Sequence, residues 1–237
     1  MRGREWTHGD LGPRLAGVLG ALALGSSALL AGTPPAQAAQ PCDGVTVPCA
    51  IGDIGPGGGI VFYDAGSVKK WGRYLEVAPP RWDGGTEPSI ADPTSVGCEP
   101  RPNGMKTGTA IGTGAGNTKA LLKKCGQDSA AGRSAGYGGG GQSGWFLPSR
   151  DEMSALYKAW IGNPAIELDK NSYWTSSVVS KTGDYIWFFG TEDGKASDIN
   201  SYNNTGWAVR PVRAFPCTRP AGAKPKGRYA ACVPVGR

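Results

Sequence analysis

The chain has 237 residues, including 39 Gly and 19 Pro, and its formal net charge is +6 at pH 7. So much Gly and Pro excludes a coiled coil or helix bundle, and the lack of a three-residue Gly repeat excludes collagen. Trp, Tyr and Phe supply large apolar side chains that disordered chains usually lack, so the composition indicates a loop-rich globular domain.

The first 38 residues read as a secretory signal peptide. Basic residues precede an apolar run over 15–30, and Ala36 and Ala38 frame a cleavage site after Ala38. A retained membrane anchor is the alternative, but Gly and Ser dilute the apolar run and no basic flank follows it. No later segment approaches the roughly 20 apolar residues of a membrane span, so we expect a mature chain that is secreted or held at the cell surface.

Cleavage would remove His8, the only histidine. Without histidine, the mature chain has no Ser-His-Asp or Cys-His mechanism and no His-ligated zinc site. We therefore expect a protein that is not an enzyme and has no cofactor or metal. A histidine-free hydrolase, which would need paired carboxylates, a Ser/Lys arrangement or a bound metal, is the less favoured alternative.

The six cysteines all follow the signal, and their even number in an exported chain predicts disulfides. A thiolate metal site is the competing interpretation, but no CxxC spacing is present. Several pairings are possible, and closure of short loops favours neighbours in sequence. The expected pairs are Cys42–Cys49, Cys98–Cys125 and Cys217–Cys232.

In chain order, apolar and β-branched runs predict strands over 58–63 and 74–78. A long loop over 81–116 follows, and then a helix over 117–124 that Asn117 would cap. The stretch 132–143 is rich in Gly, so we expect it to be flexible.

The strongest local signal is the capping box formed by Ser149 and Glu152, which gives Glu152 a structural role. It predicts a second helix that ends near Gly162 and buries the side chains that recur at helical spacing. Those side chains are Met153, Leu156, Tyr157 and Trp160.

The last third predicts strands over 173–178, 185–189 and 207–213, arranged as an antiparallel meander. The order of strands, two helices and a meander is that of an α+β domain. On the last strand, Arg210 and Arg213 are interpreted as scaffold residues paired with carboxylates, and an exposed anion site is the alternative.

A polar stretch over 191–206 is the candidate ligand-binding loop, because it mixes short polar groups with tyrosine and is longer than most hairpin loops. A solvated connection between strands has the same composition and is the alternative. The candidate ligand-binding residues are Lys195, Asp198, Asn200, Tyr202, Asn203 and Asn204.

Residues 217–237 contain five Lys and Arg and no acid, whereas 39–216 is neutral overall. The tail is therefore a candidate polyanion site, and a solubilising tail is the alternative. Export and the lack of a basic recognition helix argue against nucleic acid. The candidate polyanion-binding residues are Arg219, Lys224, Lys226 and Arg228.

Six blocks occur in a fixed order: GDIGPGGGIVFYD at 52–64, YLEVAP at 74–79, IGTGAGNT at 111–118, WFLPSRDEMSALY at 145–157, YWTSS at 173–177 and VRPVRAF at 209–215. Over residues 50–216 this series resembles the Lcl C-terminal domain family, named for a collagen-like adhesin. The resemblance implies a secreted or surface domain with a single C-type-lectin-like α+β fold. Its best-known relative binds sulfated glycosaminoglycans and assembles as a trimer.

Together these expectations divide the chain into a signal peptide (1–38), a cysteine-containing segment (39–49), the domain (50–216) and a basic cysteine-containing tail (217–237). The expected function is a noncatalytic binding or adhesion module that recognises extracellular glycans, especially sulfated or acidic ones. A structural domain that binds a surface protein is the alternative from another class.

Overall fold

Two antiparallel sheets, a short parallel strand pair and three α-helices make up the part of the chain that the computed structural model describes. The described residues are 39–85, 98, 104–168, 171–179, 186–197, 207–216, 218–219 and 233–234. They belong to one unit, Ala38–Arg237. The predicted signal peptide lies outside them.

The first sheet contains β1 (Ile60–Lys69), β2 (Gly72–Val77), β3 (Trp145–Phe146) and β7 (Val212–Phe215). Its order is β1-β2-β7-β3, with every neighbouring pair antiparallel. The prediction of the first two strands is confirmed, although β1 continues well past the apolar run into an exposed hairpin arm. In β2, four consecutive residues from Tyr74 are buried, so both faces of this strand are covered.

The second sheet contains β4 (Ser172–Val178), β5 (Ile186–Gly190) and β6 (Lys195–Ser197), paired as an antiparallel meander. The predicted meander of the last three strands is therefore wrong in its third member. The last residues of the predicted strand 207–213 belong to β7 in the first sheet. Ala208 forms an isolated parallel bridge to Tyr173 of β4. Residue preference marks a strand, but burial against distant residues decides its partner. The strands β8 (Thr218–Arg219) and β9 (Val233–Pro234) pair in parallel.

The helices are α1 (Gly114–Cys125), α2 (Ala130–Gly136) and α3 (Arg150–Gly162). Two helices were predicted, and α2 was missed because it lies largely in the Gly-rich stretch assigned as flexible. Ser129 caps α2 by accepting a hydrogen bond from Gly132 N at 3.1 Å. Of the helices in the described ranges, none is long and apolar enough to cross a membrane.

The predicted cap of α1 is also wrong. The helix begins at Gly114, and Thr113 stands at its N-cap, where its hydroxyl donates to Ala110 O at 2.6 Å and does not cap the helix. Asn117 lies inside the helix and is buried. Its amide accepts from Gly108 N at 2.9 Å and donates to Gly108 O at 2.6 Å, which satisfies both ends of this polar group.

The main core lies between the first sheet, α3 and the second sheet, and its fully buried members include Leu75, Met153 and Leu156. Trp160, predicted to be a core residue, is only partly buried and packs at the margin of this core. A second core joins α1 and α2 to the other face of the second sheet, around Leu121 and Trp174.

Two of the three predicted disulfides are confirmed: Cys42–Cys49 and Cys98–Cys125, with Cα atoms 5.3 and 4.3 Å apart. Both cysteines of the first pair are buried in a third cluster with Tyr74 and Phe215. The segment 39–49 therefore packs on the first sheet, while the loop between its cysteines is exposed. Cys217 and Cys232 lie outside the described residues, so their pairing stays a prediction.

Candidate functional site

The glycine loop, residues 55–59, closes over the buried carboxylate of Glu76. Gly57 N donates to both carboxylate oxygens at 3.1 and 3.0 Å, and Gly59 N donates at 3.2 Å. A Cβ on Gly55 would lie 2.5 Å from Glu76 Oε2, so the backbone can approach this closely only as glycine. The first block of the resemblance is thus a structural loop around one acid.

Arg213 supplies the positive partner of Glu76, its Nη1 lying 2.5 Å from Glu76 Oε1. It also donates to Ser143 O at 3.1 Å and to Gln142 Oε1 at 3.0 Å. Burial raises the pKa of Glu76, and the charge of Arg213 opposes that rise.

Arg210 is fully buried and donates to three backbone carbonyls. Its partners are Ala78 O at 2.8 Å, Glu167 O at 2.9 Å and Ile166 O at 2.8 Å. With Arg213 also buried, the interpretation of both arginines as scaffold is confirmed. The expected carboxylate partner is present for Arg213, whereas these three bonds of Arg210 go to backbone carbonyls.

The polar part of the YWTSS block is buried and holds the segment that leads into α1. Ser177 Oγ donates to Gly108 O at 2.9 Å and accepts from Arg150 N at 3.0 Å. Val178 N donates to Thr107 Oγ1 at 2.6 Å. These bonds fix 107–108 against β4, so this strand stabilises the domain through hydrogen bonds as well as apolar packing.

Glu152 completes the predicted capping box and also caps a second helix. Its carboxylate accepts from Ser149 N at 2.7 Å, and Ser149 accepts in return from Glu152 N. The same carboxylate accepts from Gly112 N at 2.8 Å and Gly114 N at 3.4 Å, at the start of α1. Burial raises the pKa of Glu152, while these N–H donors favour the charged form.

One lobe of a groove lies between β1 and α3, and a second lobe continues beside the end of the β1–β2 hairpin. The lobes have volumes of about 700 and 740 Å³ and share Tyr63 and Ile111. The first lobe is lined by Ile51, Phe62, Tyr63, Asp64, Ile111, Asp151, Ser154, Ala155, Lys158 and Ala159. The second is lined by Tyr63, Ala65, Val68, Lys69, Lys70, Trp71 and Ile111.

Aromatic and aliphatic side chains form much of the groove. The rings of Tyr63 and Trp71 lie 6.3 Å apart at an interplanar angle of 40°. Ile51 and Val68, one in each lobe, are each 47% exposed, which is high for large apolar side chains. A groove with this lining can bind a ligand that has apolar faces.

The carboxylates in the groove already have positive partners. Asp64 pairs with Arg73 at 2.8 Å, and Asp151 pairs with Arg150 at 2.9 Å. The hydrogen bond from Arg73 lowers the pKa of Asp64, which keeps it ionised.

The lysines of the groove differ from its carboxylates in their ion pairing. Lys69, Lys70 and Lys158 are exposed, and none of them pairs with a carboxylate of the described residues. Lys69 Nζ donates only to Ser67 Oγ, at 2.8 Å. The rim of the groove therefore carries surplus positive charge.

The predicted ligand-binding loop is shorter than expected, because Lys195 begins β6 after a turn over 191–194. Lys195 is exposed and does not line the groove. The other five candidates, Asp198, Asn200, Tyr202, Asn203 and Asn204, lie outside the described residues. So do Lys224, Lys226 and Arg228 of the tail, while Arg219 lies in β8.

Sequence reasoning missed the groove, although the block ending in Tyr63 and Asp64 and the run from Val68 to Trp71 supply much of its lining. An exposed Val-Lys-Lys-Trp run directly after an apolar strand is the signal that could have indicated it. Within the described ranges, no group of three or more His, Cys, Asp or Glu side chains is placed to hold a metal ion.

No protein-family model and no curated protein matches the chain. The resemblance to the Lcl C-terminal domain family therefore stays a prediction made from the six blocks.

Proposed function

We propose that this chain is a secreted, noncatalytic binding module of C-type-lectin-like fold that takes acidic glycans in the groove between β1 and α3. One observation carries the proposal: Tyr63 lines both lobes and pairs with Trp71 of the second lobe, and lysines without carboxylate partners among the described residues stand on the rim. The predicted signal peptide and the two disulfides support an extracellular location.

The aromatic pair suits the apolar faces of sugar rings. Tyr and Trp offer large rigid surfaces at a low cost in side-chain entropy, and they carry polar groups that can bond to hydroxyls. Ser154 and the paired carboxylates of Asp64 and Asp151 add hydrogen-bonding groups to the same lining.

The lysines suit the acidic groups of such a glycan. Lys158 stands in the first lobe, and Lys69 and Lys70 stand in the second. Since Asp64 and Asp151 are neutralised by arginines, the attraction of these lysines for an anion is not cancelled locally. Binding should therefore weaken as salt rises.

The test is retention on an immobilised acidic polysaccharide, eluted with a salt gradient. The groove variant Lys69→Gln/Lys70→Gln/Lys158→Gln should elute at lower salt than the wild type. The matched control is Lys119→Gln/Lys123→Gln/Lys124→Gln, which removes the same charge from exposed lysines of α1 outside the groove. The control should elute close to the wild type.

Equal shifts in the two triple variants would mean that net charge alone governs retention, and the groove would lose its assignment. A shift only when Arg219, Lys224, Lys226 and Arg228 become glutamine would assign the contact to the basic tail. Trp71→Ala separates the aromatic contribution, because it changes no charge and should still weaken binding.

A protein partner is the second candidate, and the exposure of Ile51 and Val68 favours it. Exposed apolar side chains that flank a groove are typical of protein contact sites. Ile51→Ser/Val68→Ser should abolish capture of a protein partner, whereas Lys69→Gln/Lys70→Gln/Lys158→Gln should leave that capture intact. If glycan arrays give no binding at any salt concentration, this candidate takes the place of the first.

A further inference from the structure

The first turn of α3 holds the segment 109–114, which leads into α1 and supplies Ile111 to both lobes of the groove. Among the described residues, four hydrogen bonds link α3 to this segment. In two of them the acceptor is a backbone carbonyl: Asp151 N donates to Thr109 O at 3.0 Å, and Ser149 Oγ donates to Ala110 O at 3.0 Å. The other two end on the Glu152 carboxylate, from Gly112 N and Gly114 N. One buried acid thus joins α3 to this segment.

Gly112 connects this segment to the aromatic pair. Its φ of +89° is in the region that favours glycine, and a Cβ at this position would overlap the indole of Trp71. The Trp71 ring therefore packs directly on the Gly112 backbone. The Tyr63 ring is an aromatic neighbour of this indole, with the centroids 6.3 Å apart.

We infer that Glu152 is a positioning residue of the groove, which sets Ile111 and Trp71 through the Gly112 N–H without lining the groove itself. This inference rests on the proposed function only in taking the groove as the binding site. Glu152 is fully buried and is absent from the lining of both lobes, so its effect has to pass through the backbone.

The test uses the full chain labelled with 5-fluorotryptophan, with the fluorine resonance of Trp71 assigned by Trp71→Phe. Glu152→Gln should shift the Trp71 resonance more than those of Trp174 and Trp207, because both of these belong to the second core, which Glu152 contacts through the start of α1. Leu121→Ala is the control, since it damages that second core and should leave the Trp71 resonance unchanged. A Trp71 resonance identical in Glu152→Gln and wild type would overturn the inference.

Hydrogen exchange of the wild type gives a second measurement that needs no variant to fold. The Gly112 and Ser149 amides donate to the same carboxylate, so their protection should agree within about tenfold. Exchange of Gly112 at the rate of an unprotected loop amide would equally overturn the inference.

Neither measurement needs a ligand, so both can succeed if the glycan proposal fails. Where the polysaccharide does bind, Glu152→Gln should weaken binding several-fold without changing the dependence of the logarithm of affinity on the logarithm of salt. The groove lysine variant should reduce that dependence. A Glu152→Gln protein that binds as tightly as the wild type would contradict the positioning role.

Discussion

Glu76 and Arg213 stand opposite each other in register on the adjacent strands β2 and β7, and their side chains form an ion pair at 2.5 Å inside the domain. Both residues are buried, and the glycine loop supplies the remaining hydrogen bonds to the carboxylate. The pair therefore joins three separate parts of the chain: the loop 55–59, β2 and the final strand of the first sheet.

Removal of one partner from this pair should be costly. Arg213→Met leaves the Glu76 carboxylate buried without its cation, and we expect a loss of about 3–5 kcal/mol in the free energy of unfolding. Glu76→Gln/Arg213→Met should recover part of the loss, because a neutral side chain then occupies the site. Urea unfolding measures both variants, and a loss below about 1 kcal/mol for Arg213→Met would contradict the pairing.

Stability should fall as pH rises above about 4.5. Burial raises the pKa of Glu76 and Glu152 above the ordinary value of 4.5, so the folded chain binds these protons more tightly than the unfolded chain does. Their contribution is complete below the unfolded pKa and is lost as pH rises through the folded pKa. The pKa of Asp64 is lowered in the folded chain, so its contribution to stability is lost only as pH falls through that pKa, at a lower pH than the range of Glu76 and Glu152.

Unfolding by urea from pH 4.5 to 8 measures this slope. Glu152→Gln should flatten it, whereas the same change at the exposed Glu192 should not. An identical slope in Glu152→Gln and wild type would show that Glu152 does not contribute to it.

Two Gly→Ala substitutions should change the stability of the domain in opposite directions. A Cβ on Gly57 would lie 2.5 Å from Trp145 Cζ2 and 2.9 Å from Glu76 Oε1, so Gly57→Ala should destabilise the domain by about 1–3 kcal/mol. A Cβ on Gly116 in α1 meets no atom within 4 Å, and Gly116→Ala should stabilise by up to about 1 kcal/mol through helix propensity. Thermal unfolding compares the two, and a Gly57→Ala protein that melts no lower than the wild type would refute the close approach of the loop to Glu76.

Substitutions along α3 should lower the free energy of unfolding more when the replaced side chain is more deeply buried. Leu156 is fully buried, and Leu156→Ala should cost about 2–5 kcal/mol. Trp160→Ala should cost less than Leu156→Ala despite the larger side chain, because Trp160 is only partly buried. Ile161, which is 64% exposed, serves as the control and should change stability by no more than about 0.5 kcal/mol. A larger loss of stability for Trp160→Ala than for Leu156→Ala would indicate that Trp160 is a core residue.

Local signals predicted local structure well in this chain. The Ser149–Glu152 capping box fixes the start of α3, because both of its hydrogen bonds form between residues three apart. The pairings Cys42–Cys49 and Cys98–Cys125 follow in the same way from short loop closure.

Features that depend on distant residues were not predictable from local patterns. The second role of Glu152 requires Gly112, forty residues earlier, to lie beside it. α2 forms in a Gly-rich stretch because Ala130 and Ala131 are buried in the second core, which outweighs weak helix propensity. The groove needs β1 and α3 to face each other, and no pattern within either element specifies that.

The insertion of β7 between β2 and β3 affects how the chain reaches its fold during synthesis. The β1–β2 hairpin and β3 are both synthesised before β7, the strand that joins them, which ends at residue 215. A nascent chain therefore carries two open strand edges until nearly all of the domain has been made. Such edges can pair with other chains, so a polypeptide of this kind would depend on chaperones that hold it until β7 is available.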